Sequence, residues 1–344
     1  MLRIARDAPT SPASASGRGA PFAGFALMVS SQTLPQFTSP HSFRAFRSDP
    51  PQWLPIALDI ARSHGIDVAS PHVFSTGTNL VVGLSGKLIL KIFPPLLRAQ
   101  FISERGSLAQ LAGRLPLPIP EIVAEGERDG WPYLVITRLT GTLGSEVWPQ
   151  LPEAQKERVL RQIGETIAAV QRAPLGPLAR IEPRWSEFMR AQMQGCKARH
   201  TSRGLAPKFL AGLDDLLRDA AMLIPMDAPP VILIGEYIPE NFLLACSDDQ
   251  CSLAGLFDFG DVRAGWRDYD LLGPSAFMAA GRPGRVRSLL EGFGYPNPDF
   301  ALKRRLMALM LLHHASDLNS HICIEGWQEQ VDNLVELQEL IWAE

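Results

Sequence analysis

Apolar runs of two kinds divide the chain into a strand-rich first part and a helix-rich second part. Within 72–93, short apolar runs are separated by Thr/Gly and Ser-Gly turns, a pattern that predicts strands. The segment 101–113 has helical spacing, and the Pro-rich segment 115–139 contains two more strands around a turn at Asp129-Gly130. The first part is therefore predicted to be a small sheet that carries one helix.

A further helix is predicted before this sheet. Apolar positions recur at helical spacing after Trp53, and Gly65 follows as a stop signal. We therefore expect ordered structure to begin near Trp53. The apolar positions of this helix are Leu54, Ile56, Ala57, Ile60 and Ala61.

After residue 140 the pattern is mainly helical. Pro152 suits the first turn of a helix on which Val159, Ile163 and Val170 share one face. The expected fold class is α+β and bilobal, with an antiparallel-sheet N-lobe over 46–139 and a larger, mostly helical C-lobe over 140–344. Further helical patterns cover 208–223, 285–292 and 302–342, and two short β-type runs lie between them at 231–234 and 253–259.

The first forty residues have a different composition. The stretch APTSPASASGRGAP has no periodic apolar positions, so it cannot bury enough surface to offset its ordering entropy. Residues 1–45 are expected to be a flexible tail rich in Ser, Ala and Pro. The tail is Arg-rich and acid-poor like a transit peptide but lacks a secretory apolar core. Whether the residues before Met28 belong to the native protein stays open.

Composition excludes several classes of partner. A formal charge of −3 over 344 residues leaves no basic footprint for nucleic acid and no polybasic membrane patch. No apolar run approaches the roughly 18 residues that a spanning helix needs.

The four cysteines form no CxxC pair, so neither a zinc site nor a disulfide framework is favoured, and a cytoplasmic location is expected. A monomer is favoured.

Two charged residues in the first part are candidates for binding an anion. Lys91 lies inside the apolar strand LILKIF, where its amine either reaches water at a sheet edge or points into a cleft to neutralise an anion. Glu104 lies on the following helix and could pair with Lys91. An isolated glutamate on a helix is usually a solvated surface residue. Glu104 is a candidate only because it lies on the helix that follows Lys91.

Two stretches in the second part carry candidate phosphoryl-transfer groups. In ILIGEYIPENFLL (232–244), Glu236 follows a short strand and Asn241 lies five residues later. Phosphoryl transfer needs one group that orients the attacking hydroxyl and others that hold a metal ion. In LFDFGD, Asp258 is presented at a tight turn where it could bind Mg²⁺. The alternatives are a turn glutamate, a capping Asn241 and an Asp in a hairpin turn.

Taken in order, these features resemble the aminoglycoside phosphotransferase family. The shared order is a lysine in a strand, a helix glutamate, a G-[DE]-x-x-x-x-N loop and DFGD. The stretches TNLVVGLSGKLILKIF, PLPIPEIVAEGERDGWPYLVITRLTGT and FDFGDVRAGWRDYDL resemble its hygromycin-B kinase branch in particular. The resemblance implies a bilobal kinase-like fold that transfers the γ-phosphate of ATP or GTP to a hydroxyl of a small, polyhydroxylated acceptor, an aminoglycoside.

The resemblance also implies roles for individual residues. Lys91 would contact the α- and β-phosphates, and Glu104 would orient Lys91. Asn241 and Asp258 would hold Mg²⁺, and Glu236 would accept a hydrogen bond from the acceptor hydroxyl. The loop over the triphosphate would be formed by Ser75, Thr76 and Gly77, and the adenine would meet the backbone around Thr137 and Leu139.

Two positions depart from the family pattern. Ile234-Gly235-Glu236 stands where members carry His-Gly-Asp, so the carboxylate is retained but lies about 1.5 Å further from the backbone, and a misplacement of about 1 Å can cost on the order of a hundredfold in rate. A catalytically silent kinase-fold protein that binds nucleotide or another ligand is the alternative function. A protein kinase is third, because no HRD loop is apparent, and the absence of GxxxxGK[ST] argues against a P-loop enzyme.

Further polar residues are candidates for the acceptor side. His313 and His314 lie in a helical pattern, where packed or surface histidines are favoured over ligand contacts. Asp270 is interpreted as a structural carboxylate that supports the metal loop. The remaining candidates for recognition of amino groups are Asp261, Asp268 and Asp317.

Overall fold

The apolar runs before residue 140 form a five-stranded antiparallel sheet in the order β1-β2-β3-β5-β4. A computed structural model describes residues 33–247, 250–296 and 298–344. The predicted strands and the turn at Asp129-Gly130 are confirmed, and both turn residues have positive φ. The strands are β1 His72–Phe74, β2 Leu80–Gly83, β3 Leu88–Ile92, β4 Ile122–Arg128 and β5 Trp131–Thr137.

Three helices accompany this sheet. They are α1 Pro40–Arg47, α2 Pro50–Ser63 and α3 Arg98–Leu111. Helix α3 confirms the helix predicted at 101–113. Helix α2 contains the apolar positions expected after Trp53, and Gly65 beyond it has φ 71°. Helices α1 and α2 share one hydrophobic core with a face of the sheet.

The expected flexible tail over 1–45 is wrong for residues 34–45. Leu34 is buried and its N–H donates to the Asp129 carboxylate at 3.0 Å. Phe43 and Phe46 of α1 are buried, and the aromatic rings of both pack against the Trp131 ring. These few aromatic contacts offset the ordering entropy of a segment whose composition alone predicts disorder. The rest of the predicted tail, 1–32, lies outside the described residues.

The part after residue 140 is mostly helical, as expected. The stretch predicted as almost continuous helix from 302 to 342 is divided into shorter helices that pack around one large core. The helices are α4 Gly144–Val147, α5 Glu153–Arg172, α6 Trp185–Ser202, α7 Pro207–Leu210, α8 Leu213–Leu223, α9 Leu272–Pro274, α10 Pro283–Phe293, α11 Phe300–Leu312, α12 Leu318–His321, α13 Trp327–Gln330 and α14 Leu334–Ile341.

Two small antiparallel sheets position the polar loops of this part. One pairs β10 with β7, and the other has the order β6-β8-β9. The β8–β9 ladder ends where the Phe257 N–H donates to the Asn241 carbonyl at 3.1 Å, so Asn241 and Asp258 lie at the same end of this hairpin. The strands are β6 Thr142–Leu143, β7 Val231–Leu233, β8 Phe242–Cys246, β9 Cys251–Leu256 and β10 Arg263–Gly265.

The other end of the same hairpin carries a disulfide between Cys246 and Cys251. The expectation that no disulfide is favoured is therefore wrong for this pair. The reason is tertiary: the β8–β9 register places Cys246 directly opposite Cys251, which a search for CxxC spacing misses. Because that expectation supported a reducing compartment, cysteine usage no longer argues for a cytoplasmic location.

Residues Leu34–Glu344 form a single compact unit. The strand-rich part and the helix-rich part share this unit, and we call them the N-lobe and the C-lobe. Their predicted boundary between residues 139 and 140 stays a prediction. Within the described part of the chain, no helix has both the length and the apolar character required to cross a membrane.

Candidate active site

Lys91 is the centre of a buried charge cluster between the two lobes. It lies on β3, paired with Val81 and Leu134 on the neighbouring strands, and is only 7% exposed. Its Nζ donates to Glu104 Oε2 at 2.5 Å and to Asp258 Oδ1 at 2.9 Å. Of the two positions considered for this amine, the structure thus shows the inward one.

The charges in this cluster stabilise one another. Burial disfavours the charged form of Lys91, but the Asp258 and Glu104 carboxylates outweigh it and raise the Lys91 pKa. The ammonium group in turn lowers the Asp258 pKa below its ordinary value. Burial raises the Glu104 pKa to about 7, against the opposing effect of Lys91. Lys91 is therefore charged at neutral pH and Asp258 is ionised.

Asp258 and Asn241 carry side-chain oxygens, the ligand type that Mg²⁺ prefers. Asp258 has φ 67°, and the hydrogen bond from the Gly260 backbone helps to keep it ionised. Asn241 is buried, and its Nδ2 donates to the Glu236 carbonyl at 3.0 Å, which leaves Oδ1 as an acceptor. In the described ranges, no three His, Cys, Asp or Glu side chains converge into a self-contained metal site. Mg²⁺ in nucleotide sites uses few protein ligands and completes its shell with phosphates and water, so this pair fits Mg²⁺.

Glu236 lies on a loop that is held by a buried carboxylate. Asp270 accepts hydrogen bonds from the N–H groups of Ile234, at 3.2 Å, and Gly235, at 2.8 Å. Gly235 has φ 84°, a conformation that favours glycine. The predicted structural role of Asp270 is thus seen, but it supports the Glu236 loop rather than the metal loop.

The environment of Glu236 changes its acidity. Burial raises the Glu236 pKa to about 7, and the nearby carboxylates of Asp261 and Asp258 act in the same direction. Asn241 and Lys91 partly oppose this shift. The same electrostatic environment therefore includes Glu236 and the Lys91 cluster, so the structure brings together the five residues predicted to act on phosphate, metal and hydroxyl.

The predicted loop over the triphosphate is exposed and contains one glycine, Gly77, with φ 89°. The connector predicted to meet adenine is partly occupied: the Thr137 N–H donates to the Glu121 carbonyl and the Arg138 N–H to the Lys87 carbonyl. An adenine would have to use other backbone groups, such as those of Leu139. The nucleotide-contacting roles of Ser75, Thr76, Thr137 and Leu139 stay predictions.

One bridging residue was not anticipated from the sequence. Gln100, in the first turn of α3, accepts a hydrogen bond from the Asn79 side chain at 3.2 Å and donates to Asp261 at 3.4 Å. It thereby links the end of the loop between β1 and β2 to the loop that follows Asp258. A glutamine in a helix has no distinctive spacing, so no sequence signal identifies it.

Most other acidic candidates are engaged elsewhere. Asp268 is fully buried and binds Arg305 at 2.6 Å and the Tyr295 hydroxyl at 2.9 Å. Asp317 accepts from Ser320 at 3.0 Å. Asp268 is therefore not available for an amino group of an acceptor, whereas Asp261 remains next to Glu236.

The two histidines differ in their surroundings. The His313 ring stacks on Tyr269 with 4.9 Å between centroids, whereas His314 is exposed. Burial, together with the nearby His314 and Arg263, holds the His313 pKa well below its ordinary value. His313 is thus a packed, neutral histidine, which agrees with the interpretation favoured by its sequence pattern.

Solved structures with a similar fold include phosphotransferases. The GDP complex of wild-type aminoglycoside 2'-phosphotransferase-IIIa has a TM-score of 0.62 at 18% identity, covering 84% of this chain and 98% of that one. The streptomycin–ATP ternary complex of APH(2")-IIa has a TM-score of 0.54 at 14% identity, with 84% and 97% covered. Macrolide 2'-phosphotransferase MphH from Brachybacterium faecium has a TM-score of 0.52 at 20% identity, with 76% and 91% covered. This confirms the bilobal, kinase-like α+β fold.

A sequence-family comparison agrees with the fold and the charge cluster. The model of the phosphotransferase enzyme family (APH) matches residues 59–306, a range that contains Lys91, Glu104, Glu236, Asn241 and Asp258. Because this match spans most of the chain and includes parts of both the N-lobe and the C-lobe, the protein belongs to the phosphotransferase enzyme family.

Proposed function

We propose that this protein transfers the γ-phosphate of ATP or GTP to a hydroxyl group of a small polyhydroxylated acceptor. The observation that carries the proposal is the buried amine of Lys91, which binds Glu104 and Asp258 at once. This ammonium joins the N-lobe sheet to the loop expected to hold the metal, where it can neutralise phosphate oxygens. Family membership supports the same reaction class.

In the proposed reaction, Glu236 accepts a hydrogen bond from the acceptor hydroxyl and aligns its oxygen with the γ-phosphorus. The bond between this phosphorus and the bridging oxygen breaks while the bond to the acceptor oxygen forms, and the hydroxyl proton passes to Glu236 and then to solvent. Lys91 neutralises charge on the phosphates. Mg²⁺ held by Asn241 and Asp258, when bound, would supply further charge neutralisation. Alignment and electrostatics provide most of the acceleration.

We propose an aminoglycoside as the acceptor, with a hygromycin-B-like compound as the specific candidate. Two findings support this class. The fold neighbours include an aminoglycoside phosphotransferase in complex with streptomycin, and Asp261 lies near Glu236, where a carboxylate could bind an amino group. MphH is a macrolide phosphotransferase, so macrolides form the comparison class.

A second candidate function is nucleotide binding without phosphotransfer. The observation that favours it is the Ile234-Gly235-Glu236 sequence, in which the carboxylate is one carbon further from the backbone than the Asp of the family pattern. Ile234 is 1% exposed and packs into the core. Its hydrocarbon side chain cannot form a hydrogen bond to the loop.

The test separates binding from turnover. Purified protein is screened by thermal shift with Mg²⁺ and ATP or GTP, and then by mass spectrometry for a phosphate ester on hygromycin B, kanamycin, streptomycin and gentamicin. We expect nucleotide protection and a phosphorylated aminoglycoside. The Asp258→Ala variant should lose the product, whereas Asp214→Ala, which removes an exposed carboxylate that pairs with Lys197, should not. Protection without any product would favour the second function, and full activity of Asp258→Ala would overturn the metal assignment.

A further inference from the structure

Arg47, the last residue of helix α1, binds the loop predicted to cover the triphosphate. Its Nη1 donates to the Ser75 carbonyl at 3.1 Å and also to the Gly77 carbonyl. One guanidinium nitrogen thus holds two carbonyl groups that are separated by a single residue. This contact joins the N-terminal helix to the loop between β1 and β2.

The rest of α1 keeps Arg47 in place. Phe43 and Phe46 are buried in the core beneath the helix, and the Trp53 indole N–H donates to the Arg47 carbonyl at 3.2 Å. Ser39 caps the start of α1 by accepting a hydrogen bond from the Ser42 N–H. Arg47 therefore extends from a helix end that is fixed by these contacts onto an exposed loop.

These two hydrogen bonds determine which way the loop amides point. In a trans peptide, the carbonyl and the N–H of the same unit point in opposite directions. The Ser75 carbonyl shares its unit with the Thr76 N–H, and the Gly77 carbonyl shares its unit with the Thr78 N–H. Because both carbonyls point at Arg47, both N–H groups point away from α1.

The end of the loop contacts residues next to the active site. There the Thr78 hydroxyl donates to Gln100 Oε1 at 3.3 Å, and the Gln100 side-chain amide donates to Asp261 at 3.4 Å. Asp261 in turn raises the Glu236 pKa. The N–H groups of Thr76 and Thr78 thus point away from α1, and the same loop contacts Gln100 beside the active site through Thr78.

We propose that Arg47 is a positioning residue for nucleotide binding, which holds the Ser75–Gly77 loop with its amides turned towards the β- and γ-phosphates. This inference rests on the proposed function, since it assumes that the loop covers a triphosphate. Successive backbone N–H groups in a turn form an anion-binding concavity. Gly-rich phosphate loops adopt such a conformation readily, whereas this loop has one glycine. Arg47 also removes two carbonyl dipoles from the side where they would repel the phosphates.

The test compares two arginines of the same helix. Arg47→Ala should weaken binding of Mg²⁺–ATP by about tenfold, the equivalent of one or two lost charge-assisted hydrogen bonds. The effect should appear in Kd and in KM for the nucleotide, with kcat and KM for the acceptor little changed. Arg44→Ala removes an exposed arginine three residues earlier and serves as the matched control, for which we expect less than about a twofold change. Arg47→Lys, which retains charge and donors, should recover part of the affinity.

The outcomes distinguish this inference from the proposed function. Equal nucleotide affinity of Arg47→Ala and Arg44→Ala, in a wild-type protein that binds Mg²⁺–ATP, would overturn the positioning role alone. A wild-type protein that binds neither Mg²⁺–ATP nor Mg²⁺–GTP would overturn both. Circular dichroism and the Tm without nucleotide establish that Arg47→Ala folds. Were α1 to detach in that variant, Arg47→Gln, which keeps a donor without the charge, should still bind nucleotide more weakly than Arg44→Ala. Wild-type nucleotide affinity in both Arg47→Ala and Arg47→Gln would contradict the proposal.

Discussion

At the scale of single residues, the acidity of Glu236 predicts how activity depends on pH. A carboxylate accepts a hydrogen bond from the acceptor hydroxyl only when it is ionised, and burial raises the Glu236 pKa to about 7. The active fraction therefore increases as pH rises through 7. We expect kcat/KM to increase over this range, and the pH profile of purified enzyme tests it. Glu236→Gln has no group to titrate, so persistence of the same rise in that variant would assign it to another residue.

The length of the Glu236 side chain gives a second prediction. If the extra methylene misplaces the carboxylate, Glu236→Asp should raise kcat, by up to about a hundredfold. Affinity for Mg²⁺–nucleotide should stay unchanged, because in the proposed site other groups would bind the phosphates. Steady-state kinetics with the best acceptor provide the measurement. A fall in kcat would instead show that the site is adapted to the longer side chain.

The residues that could be predicted from the sequence are those whose type is unusual for their place. Lys91 interrupts an apolar strand and Asp258 ends one, so both are informative without any structure. Arg47 and Gln100 are ordinary polar residues of helices, and the contacts that make them candidates are to partners 28 and 161 positions away. Spacing along the chain does not contain that information.

At the scale of elements, strands and long helices follow from the period and length of their apolar runs, which are properties of the local sequence. Helix α1 did not follow, since its burial depends on Trp131, far along the chain. The β8–β9 disulfide was missed for the same reason, because the pairing of Cys246 with Cys251 is set by strand register. Long-range packing therefore decides the features that local patterns cannot predict.

The packing of α5 against α10 predicts the effect of one methyl group. A Cβ atom added at Gly164 would lie 2.6 Å from the Phe293 backbone nitrogen and would overlap the Leu289 carbonyl oxygen. Backbone atoms cannot move aside as a flexible side chain can, so the helices must separate. Gly164→Ala should lower the free energy of unfolding by about 3 kcal/mol, measured by urea denaturation.

A second helical glycine provides the control for that change. At Gly195 in α6, the added Cβ would meet only the end of the Arg199 side chain at 3.9 Å. Gly195→Ala should therefore be neutral or stabilising by up to about 1 kcal/mol, since alanine favours helix more than glycine does. Equal effects of the two substitutions would show that close packing of α5 and α10 is not the determining factor.

At the scale of the whole molecule, Lys91 connects the two lobes and neutralises a buried carboxylate. Glu104 is 2% exposed, so Lys91→Met leaves its carboxylate without the ammonium partner. Loss of one partner of a buried pair costs about 3 to 5 kcal/mol when the other stays charged. Asp258 is less affected because its side chain is 38% exposed and can be hydrated.

The sign of the pH dependence follows from the raised Glu104 pKa. In the Lys91→Met variant the folded state binds a proton on Glu104 at pH values where the unfolded state has lost it, so stability falls as pH rises above the ordinary pKa of glutamate. The variant should therefore lose more stability at pH 8 than at pH 6, as measured by urea denaturation. Adding Glu104→Gln removes the titrating group, so the double variant should regain stability at pH 8 and lose the pH dependence. Equal losses at both pH values, or no recovery in the double variant, would show that the pair is not the electrostatic link between the lobes.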